Sequence, residues 1–166
     1  MSAESSSTES VLPPPRTFLV RGINHLGLAP KDVEKARWFF GTVLGLPLFG
    51  EELVKSQQTN TIMFGSVSKT ASILSPPRLE ILEGEPGTSG PITRFLEKKG
   101  SGIHHLAISV SDIAAAIAAC ISSGVRMVDS SPRPGAHNTS IAFVHPESTG
   151  GLLVELVEEL TTDHAK

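Results

Sequence analysis

Length, composition and charge already exclude several classes of protein. The chain has 166 residues, enough for one compact domain or for two small halves that share a core. Hydrophobic residues make up 39% and charged residues 19%, as in an ordinary globular protein. The net charge of -3, without a basic stripe, argues against nucleic acid as a partner. No apolar run approaches the roughly 18 residues that a membrane span needs.

Residues 1–21 are predicted to form a disordered tail, because they begin rich in serine, carry a PPP run and offer little to bury. A mitochondrial transit peptide is also serine-rich, but it avoids acids, and Glu4 and Glu9 precede any arginine here. The single cysteine, Cys120, rules out a disulfide framework and favours a reducing compartment. We therefore expect a cytoplasmic protein, with the mitochondrial matrix as the alternative if the source is eukaryotic.

An internal repeat organises the rest of the chain. The segment NHLGLAPKDVEKARWFF in the first half lies over HHLAISVSDIAAAIAAC in the second. His25 falls on His105 and Asp32 falls on Asp112, and both pairs are 80 residues apart. Each segment reads as a short alternating strand, then an acid in the position of a helix N-cap, then an amphipathic helix.

Each helix is followed by three predicted strands. The helical apolar positions are Val33, Ala36, Phe40, Val43 and Leu44 in the first half and Ile113, Ala116, Ile117, Cys120 and Ile121 in the second. Gly45 and Gly124 stand where the two helices should end. After them the pattern changes to period two, in LPLFGEELV, NTIMFGSV and RLEILEG and then in RMVDSSP, SIAFVHP and GLLVELVE.

The repeat predicts an α+β domain over residues 22–160, built from two tandem βαβββ modules. The first covers about residues 22–86, a linker helix lies within residues 90–100, and the second covers about residues 102–160. One helix on a set of strands cannot close a core by itself, so the modules should pair in a curled mixed sheet, and the chain should form a homodimer.

The repeated histidines mark one face of that sheet. Side chains alternate along a strand, so His25 shares a face with Gly27, and His105 shares the equivalent face with Ala107. The large aliphatic residues of both strands face the other way, towards the helices. Small neighbours leave room beside each imidazole, on a face that is concave if the sheet curls.

Two glutamates follow the same repeat. Glu80 lies in the middle of RLEIL and Glu155 in the middle of LLVELV, 75 residues apart. A carboxylate between apolar neighbours is costly to bury unless it is paired or bound to a metal. Two imidazoles and two carboxylates balance one divalent ion, and such a set suits Zn, Co, Ni, Mn or Fe(II). The sequence thus predicts a metal site formed by His25, Glu80, His105 and Glu155 in the concave face.

The other titratable residues give weaker signals. His104 takes the repeat position of Asn24 and should point to the opposite face, in a structural role. His137 lies in a loop and could face a substrate. Glu51 and Glu52 read as a solvated strand edge, although a catalytic base is an alternative.

The segments INHLGLAPKDVEKA, RLEILEG, FLEKKGSGIHHLA and HPESTGGLLVEL resemble the vicinal oxygen chelate superfamily, and within it the methylmalonyl-CoA epimerase family most closely. The resemblance covers about residues 22–158. It implies metal ligation by His25, His105 and Glu155 with Glu80 at a fourth position. It also implies an acyl-CoA thioester substrate, whose (R) and (S) epimers are interconverted through an enolate.

The chemistry of such a substrate agrees with this site. A C–H between a thioester and a carboxylate is weakly acidic, and a divalent ion acting as a Lewis acid stabilises the charge that its deprotonation creates. Glu155 is our candidate for one catalytic base, serving as ligand and base together. The substrate carboxylate could be bound by donors from the small residues Ser148, Thr149, Gly150 and Gly151.

The second base is left open by departures from the family pattern. Some members carry a glutamate where this chain has Thr61, which cannot act as a base. His137 stands at a position that is commonly glycine, and KSQQTNT lacks the usual Gln-Gly-Val pattern. Glu51, Glu52 and His137 remain candidates, and the acyl group could differ from methylmalonyl.

Two alternative functions fit the same fold. A glyoxalase I that isomerises a hemithioacetal uses a similar set of histidines and glutamates, although the HPESTGG and SPRPGA segments favour the epimerase. A non-catalytic small-molecule-binding protein is the other alternative, and retention of all four candidate ligands argues against it.

Overall fold

Eight strands form one mixed sheet in the computed structural model, which describes residues 17–65 and 76–160. The strands are β1 Val20–Ala29, β2 Leu48–Val54, β3 Thr59–Phe64, β4 Arg78–Gly84, β5 Gly102–Val110, β6 Arg133–Pro134, β7 Thr139–Val144 and β8 Val154–Glu159. Their order across the sheet is β2-β3-β4-β1-β5-β8-β7-β6. The curled α+β sheet that the repeat predicts is therefore confirmed.

The two modules join through their first strands. β1 pairs antiparallel with β5, while β1 pairs parallel with β4 and β5 pairs parallel with β8. The same pairing recurs in both halves, as expected of a duplicated βαβββ unit. The four strands β4, β1, β5 and β8 consequently lie side by side in the middle of the sheet.

Three helices connect or cover the strands. They are α1 Val33–Arg37, which continues as a π-helical turn over Trp38–Val43, α2 Pro91–Lys99 and α3 Ile113–Ser122. The predicted N-caps are confirmed, because the Asp32 carboxylate accepts the Lys35 N–H and the Asp112 carboxylate accepts the Ala115 N–H, both at 2.9 Å. None of the helices within the described residues is long and apolar enough to cross a membrane.

Part of the predicted helical core is wrong. Leu44 N–H donates to the Phe39 carbonyl, five residues back, so this turn is wider than an α-helical turn. The wider turn changes which side chains face the sheet: Phe40 packs on it, but Val43 and Leu44 are about half exposed. In α3, Ile121 also lies half exposed instead of in the core.

The predicted strand RMVDSSP is also wrong. Within it only Met127 forms an isolated bridge, to Val144, and the edge strand β6 begins later, at Arg133. The physical reason lies in Asp129, whose carboxylate accepts the Phe143 N–H at 2.9 Å and so replaces a strand partner there.

Helices α1 and α3 cover the outer face of the sheet. α3 packs on the cluster around Val110 and Leu156, and α1 packs on the cluster around Ile62 and Ile81. Residues 1–16 of the predicted tail, and the predicted end of β3 at Val67, lie outside the described residues, and β1 begins two residues before the predicted boundary at 22. The concave face of the sheet is left open for a site.

Candidate metal centre

The four predicted ligands meet on the concave face. Glu80 is on β4, His25 on β1, His105 on β5 and Glu155 on β8, which are the four adjacent central strands. All four residues are buried, with 5–6% of their surface exposed. The repeat therefore places one carboxylate and one imidazole from each module around a common point.

Donor distances fit a single ion. His25 Nε2 lies 3.0 Å from His105 Nε2, 3.4 Å from Glu80 Oε2 and 3.2 Å from Glu155 Oε2. His105 Nε2 lies 3.5 Å from the same oxygen of each glutamate. Ligands bonded at about 2.1 Å to one ion stand about 3.0 to 3.4 Å apart in octahedral or tetrahedral geometry. The observed spacings of 3.0 to 3.5 Å lie within or just above this range, and donor atoms of His25, Glu80 and His105 all lie within 4.8 Å of one another.

The charges in the centre also attract a cation. Burial by itself would lower the pKa of His25, but hydrogen bonds with Glu155 and Glu80 outweigh it and raise this pKa to about 9. Burial would likewise raise the pKa of Glu80, yet its hydrogen bond with His25 holds that pKa below its usual value. Burial is the main cause that lowers the pKa of His105. The two carboxylates thus favour a positive charge at this point, which a divalent ion would provide.

Two β-bulges aim extra residues at the centre. Asn24 is an additional residue in β1, since Ile23 and His25 pair with the consecutive Ile108 and Ala107. His104 is the corresponding extra residue in β5. The prediction that His104 faces away from the site is therefore wrong, because a bulge interrupts the alternation of side chains.

Asn24 fixes the ring of His25. Its Oδ1 lies 2.8 Å from His25 Nδ1 and accepts the ring N–H, which leaves the lone pair of Nε2 for an ion. Arg78 donates to the same Oδ1 at 2.8 Å, while the Asn24 amide donates to Glu159 at 3.1 Å. The amide is held from both sides, so its orientation is fixed.

His104 supports His105 in the second module. Its Nδ1 lies 3.0 Å from His105 Nδ1. Its ring packs edge-on against Phe95, with the two ring centroids 5.1 Å apart. Burial, aided by the charge of His105, lowers the pKa of His104 to about 4. A neutral His104 can accept the His105 Nδ1–H, so the Nε2 of His105 is also free to bind an ion.

A cavity of about 390 Å³ opens over the ligands. Its walls are mostly apolar and come from both modules, including Met63, Leu82, Ile141, Phe143 and Val157. The guanidinium groups of Arg78 and Arg133 also line it. An apolar cavity with a few converging polar groups is typical of a site for a small molecule.

The other predicted site residues are not all brought to this cavity. His137 lines it. The segment Ser148, Thr149, Gly150 and Gly151 follows β7 in a tight turn outside its lining, where Ser148 accepts the Arg126 N–H and Thr149 donates to the Pro146 carbonyl. The role of this segment in binding the substrate carboxylate stays a prediction.

Glu51 and Glu52 differ in their partners. Glu51 is exposed and accepts hydrogen bonds from Asn60 and Arg37. The bond from Asn60, and after it the bond from Arg37, holds the pKa of Glu51 below its usual value. Glu52 accepts the backbone N–H of His137 at 2.7 Å. Neither glutamate lines the cavity.

Sequence reasoning missed several residues of the site. Arg78 is two positions before Glu80 on β4, so the alternation of side chains could have placed both on one face. Asn24 stands at the repeat position of His104, which is a signal only once the bulges are known. Asp129 lies in the segment whose predicted strand does not form, Arg133 directly follows that segment, and nothing in their spacing indicated the cavity.

Known proteins are similar to this chain in sequence and in fold. The model of the Glyoxalase/Bleomycin resistance protein/Dioxygenase superfamily matches residues 24–143. Uncharacterized protein YqjC of Bacillus subtilis is 36% identical over 144 residues, which cover 86% of this chain and 95% of that protein. Mitochondrial methylmalonyl-CoA epimerase of Bos taurus is 33% identical over 135 residues, which cover 81% of this chain and 72% of that protein.

A solved structure agrees with these relatives. Methylmalonyl-CoA epimerase in complex with methylmalonyl-CoA and NH4+ has a TM-score of 0.78 and 27% sequence identity to this chain, covering 86% of this chain and 97% of that one. The chain therefore belongs to the glyoxalase/bleomycin resistance protein/dioxygenase superfamily and, within it, to the family that includes the methylmalonyl-CoA epimerases.

Proposed function

We propose that this protein is an epimerase that inverts C2 of a malonyl-type acyl-CoA thioester such as methylmalonyl-CoA. The observation that carries the proposal is the meeting of His25, Glu80, His105 and Glu155 at the floor of an apolar cavity. The kinship with methylmalonyl-CoA epimerases adds the class of substrate. A cavity of about 390 Å³ suits the acyl end of such a thioester rather than the whole molecule.

One divalent ion is the proposed cofactor. The four donors fit Co, Zn, Ni or Mn, and all four would hold the ion through the atoms that now face one another. When bound, the ion supplies a Lewis acid beside the thioester oxygen. The Nε2 atoms of His25 and His105 face one another at 3.0 Å, a spacing that two ligands of one ion adopt.

Glu155 is the proposed base. Its carboxylate is buried at the floor of the cavity, where it can act on the C2 proton of a bound thioester. The C2–H bond breaks, its proton moves to a Glu155 oxygen, and the electron pair delocalises into the thioester as an enolate. Return of a proton to the opposite face of the planar enolate completes the inversion.

Two arginines in the wall of the cavity, Arg78 and Arg133, are suited to bind the free carboxylate of the substrate. Arg133 donates Nε–H to Asp129 at 3.1 Å and lies over the Phe143 ring, and its guanidinium has further N–H groups to offer. Arg78 is already bound to Asn24 and Glu159. We therefore propose that Arg133 binds the carboxylate, in addition to the donors of the Ser148–Gly151 segment predicted from the sequence.

Deuterium uptake tests the proposal directly. The protein, loaded with Co²⁺ or Zn²⁺, is incubated in D₂O with each epimer of methylmalonyl-CoA, and we expect C2 deuteration together with formation of the other epimer. Formation of D-lactoylglutathione from methylglyoxal and glutathione is followed in parallel. Lactoylglutathione without C2 exchange would identify a glyoxalase, and tight thioester binding without either reaction would identify a binding protein.

Two further predictions accompany the proposal. A homodimer and a cytoplasmic location are both expected from the sequence. Fractionation of source cells would test the location, and measurement of the mass in solution would test the dimer.

A further inference from the structure

The two edges of the sheet meet at His137. This residue lies in the turn between β6 and β7, and its backbone N–H donates to Glu52 on β2 at 2.7 Å. Its ring packs edge-on against Phe49, with the two ring centroids 5.6 Å apart. A side chain at Gly50 would place its Cβ 2.9 Å from His137 Cε1, so β2 carries a glycine where the ring rests. β2 and β6 are opposite edges of the sheet, so the contact closes the curl above the central strands.

One ring nitrogen of His137 makes no hydrogen bond with the described residues. Its Nε2 is buried and, among the described residues, is the only buried side-chain nitrogen or oxygen without a hydrogen-bond partner. The Glu52 carboxylate lies 3.8 Å from the other nitrogen, Nδ1. His137 lines the same cavity as the four metal donors. An unpartnered buried nitrogen at a cavity wall is suited to a ligand that enters the cavity.

The backbone of this turn is held in an uncommon conformation. His137 has φ 54° and Asn138 has φ 58°, both in the left-handed region. Few residues other than glycine adopt this region, and asparagine and histidine are among those that do so most readily. Left-handed conformations at residues other than glycine concentrate at functional sites.

The remaining titratable groups of the cavity are engaged elsewhere. His104 contacts His105, and Asp129 accepts from Arg133 and from the Phe143 N–H. Thr61, which also lines the cavity, donates its hydroxyl to the Glu52 carbonyl and cannot act as a base. Among the described acids and bases that line the cavity, this leaves His137 to act on the face of a bound substrate that points away from the four proposed metal donors.

We propose that His137 is the second acid–base group, acting on the face of C2 opposite to Glu155. The inference rests on the proposed function. In one direction the C2 proton moves to Glu155, and the Nε2–H of a protonated His137 supplies the new C2–H bond. The products are the inverted thioester, protonated Glu155 and neutral His137, and proton exchange with water restores both groups. In the other direction His137 Nε2 accepts the C2 proton and Glu155 returns one.

His137→Asn tests this division of labour. Asparagine tolerates the positive φ of this turn, so the variant should fold, which circular dichroism and the content of bound Co²⁺ check. We expect epimerisation to fall by at least about 100-fold, the usual contribution of an acid–base group. We also expect one epimer to keep exchanging its C2 proton with D₂O without inversion, through Glu155, while exchange of the other epimer is lost.

The outcomes separate this inference from the proposed function. Retained epimerisation, or equal loss of exchange from both epimers in a folded and metal-loaded variant, would overturn the role of His137. Absence of exchange in the wild-type protein would instead overturn the proposed function. His137→Gly, which accepts the same φ without a side chain, should reproduce the one-sided exchange. His145→Asn, at a half-buried histidine outside the cavity lining, is the matched control and should keep full activity.

Discussion

Asn24 and His104 hold equivalent rings by different means. Each stands immediately before a histidine of the proposed metal centre and contacts its Nδ1, one with an amide oxygen at 2.8 Å and the other with an imidazole nitrogen at 3.0 Å. Such partners orient a ligand and raise its basicity, so they affect metal binding without touching the ion. The duplication has kept this arrangement while the residue type differs between the modules.

Asn24→Ala should weaken metal binding. Without the amide oxygen the His25 ring loses the partner that fixes its Nε2 towards the centre, and we expect affinity for Co²⁺ or Zn²⁺ to fall about 10- to 100-fold. Competition with a coloured chelator measures the affinity. Asn60→Ala is the control: it removes an amide that donates hydrogen bonds to Glu51 and Glu83, and it should leave metal affinity unchanged. Equal affinity in Asn24→Ala and wild type would contradict the orienting role.

Glu155→Gln separates the two tasks of Glu155. The amide oxygen can still face the ion, so we expect metal to remain bound with affinity reduced by no more than about 100-fold. The amide cannot accept the C2 proton, so exchange should fall by at least about 100-fold for the epimer on which Glu155 is the base. Metal content and deuterium uptake are measured on the same sample. Full exchange activity with bound metal would refute the role of Glu155 as base.

At the scale of the elements, the pairing of β1 with β5 leaves no spare room at His105. Gly27 pairs with His105, and a Cβ built at Gly27 would lie 2.3 Å from His105 Cε1 and 2.5 Å from Nδ1. The small residue is required there because the imidazole lies across the backbone of the neighbouring strand. The sequence pattern indicated this need for space, although not which ring fills it.

Gly27→Ala should displace the His105 ring. We expect metal affinity to fall by at least about 10-fold and the free energy of unfolding to fall by about 1–3 kcal/mol, as is usual for overpacking. Chelator competition and urea unfolding measure the two effects. Gly102→Ala is the matched control on β5, where a Cβ would lie 3.9 Å from the Phe95 ring, at ordinary contact distance. Unchanged metal affinity in Gly27→Ala would show that the ring can move without cost.

The periodic part of the fold could be predicted from the sequence, and its irregularities could not. Alternation and helical spacing predicted β1, β4, β5 and β8, their two histidines and their two glutamates. The bulge at His104 inserts one residue without any change of residue pattern, so alternation assigned this side chain to the wrong face. The π-helical turn likewise widens the helix by a backbone hydrogen bond alone, which moved Val43 and Leu44 out of the predicted core.

At the scale of the whole molecule, the site depends on both modules. Each module gives one imidazole and one carboxylate, and the closing contact joins Glu52 of the first to His137 of the second. The repeat predicted the first set because it obeys the duplication. The His137 contact breaks the duplication and joins residues 85 positions apart, so no local pattern announced it.

The homodimer expected from the sequence has a candidate surface. Large apolar side chains remain 44–57% exposed over the π-helical turn and the start of β2, namely Trp38, Phe39, Val43, Leu44 and Leu48. A cluster of this kind marks a surface that another protein covers, and a second copy of the chain supplies an equally apolar partner. None of these five residues lines the cavity.

Trp38→Arg should therefore convert a dimer into a monomer. Light scattering after gel filtration at micromolar concentrations should give about twice the 17.5 kDa chain mass for the wild type and the single-chain mass for the variant. The arginine places a charge where the partner would need an apolar contact, so association is weakened more than folding. Ile121→Arg changes a half-exposed apolar residue on α3 and should remain dimeric. A monomeric wild type, or equal dissociation of both variants, would show that this patch does not hold two chains together.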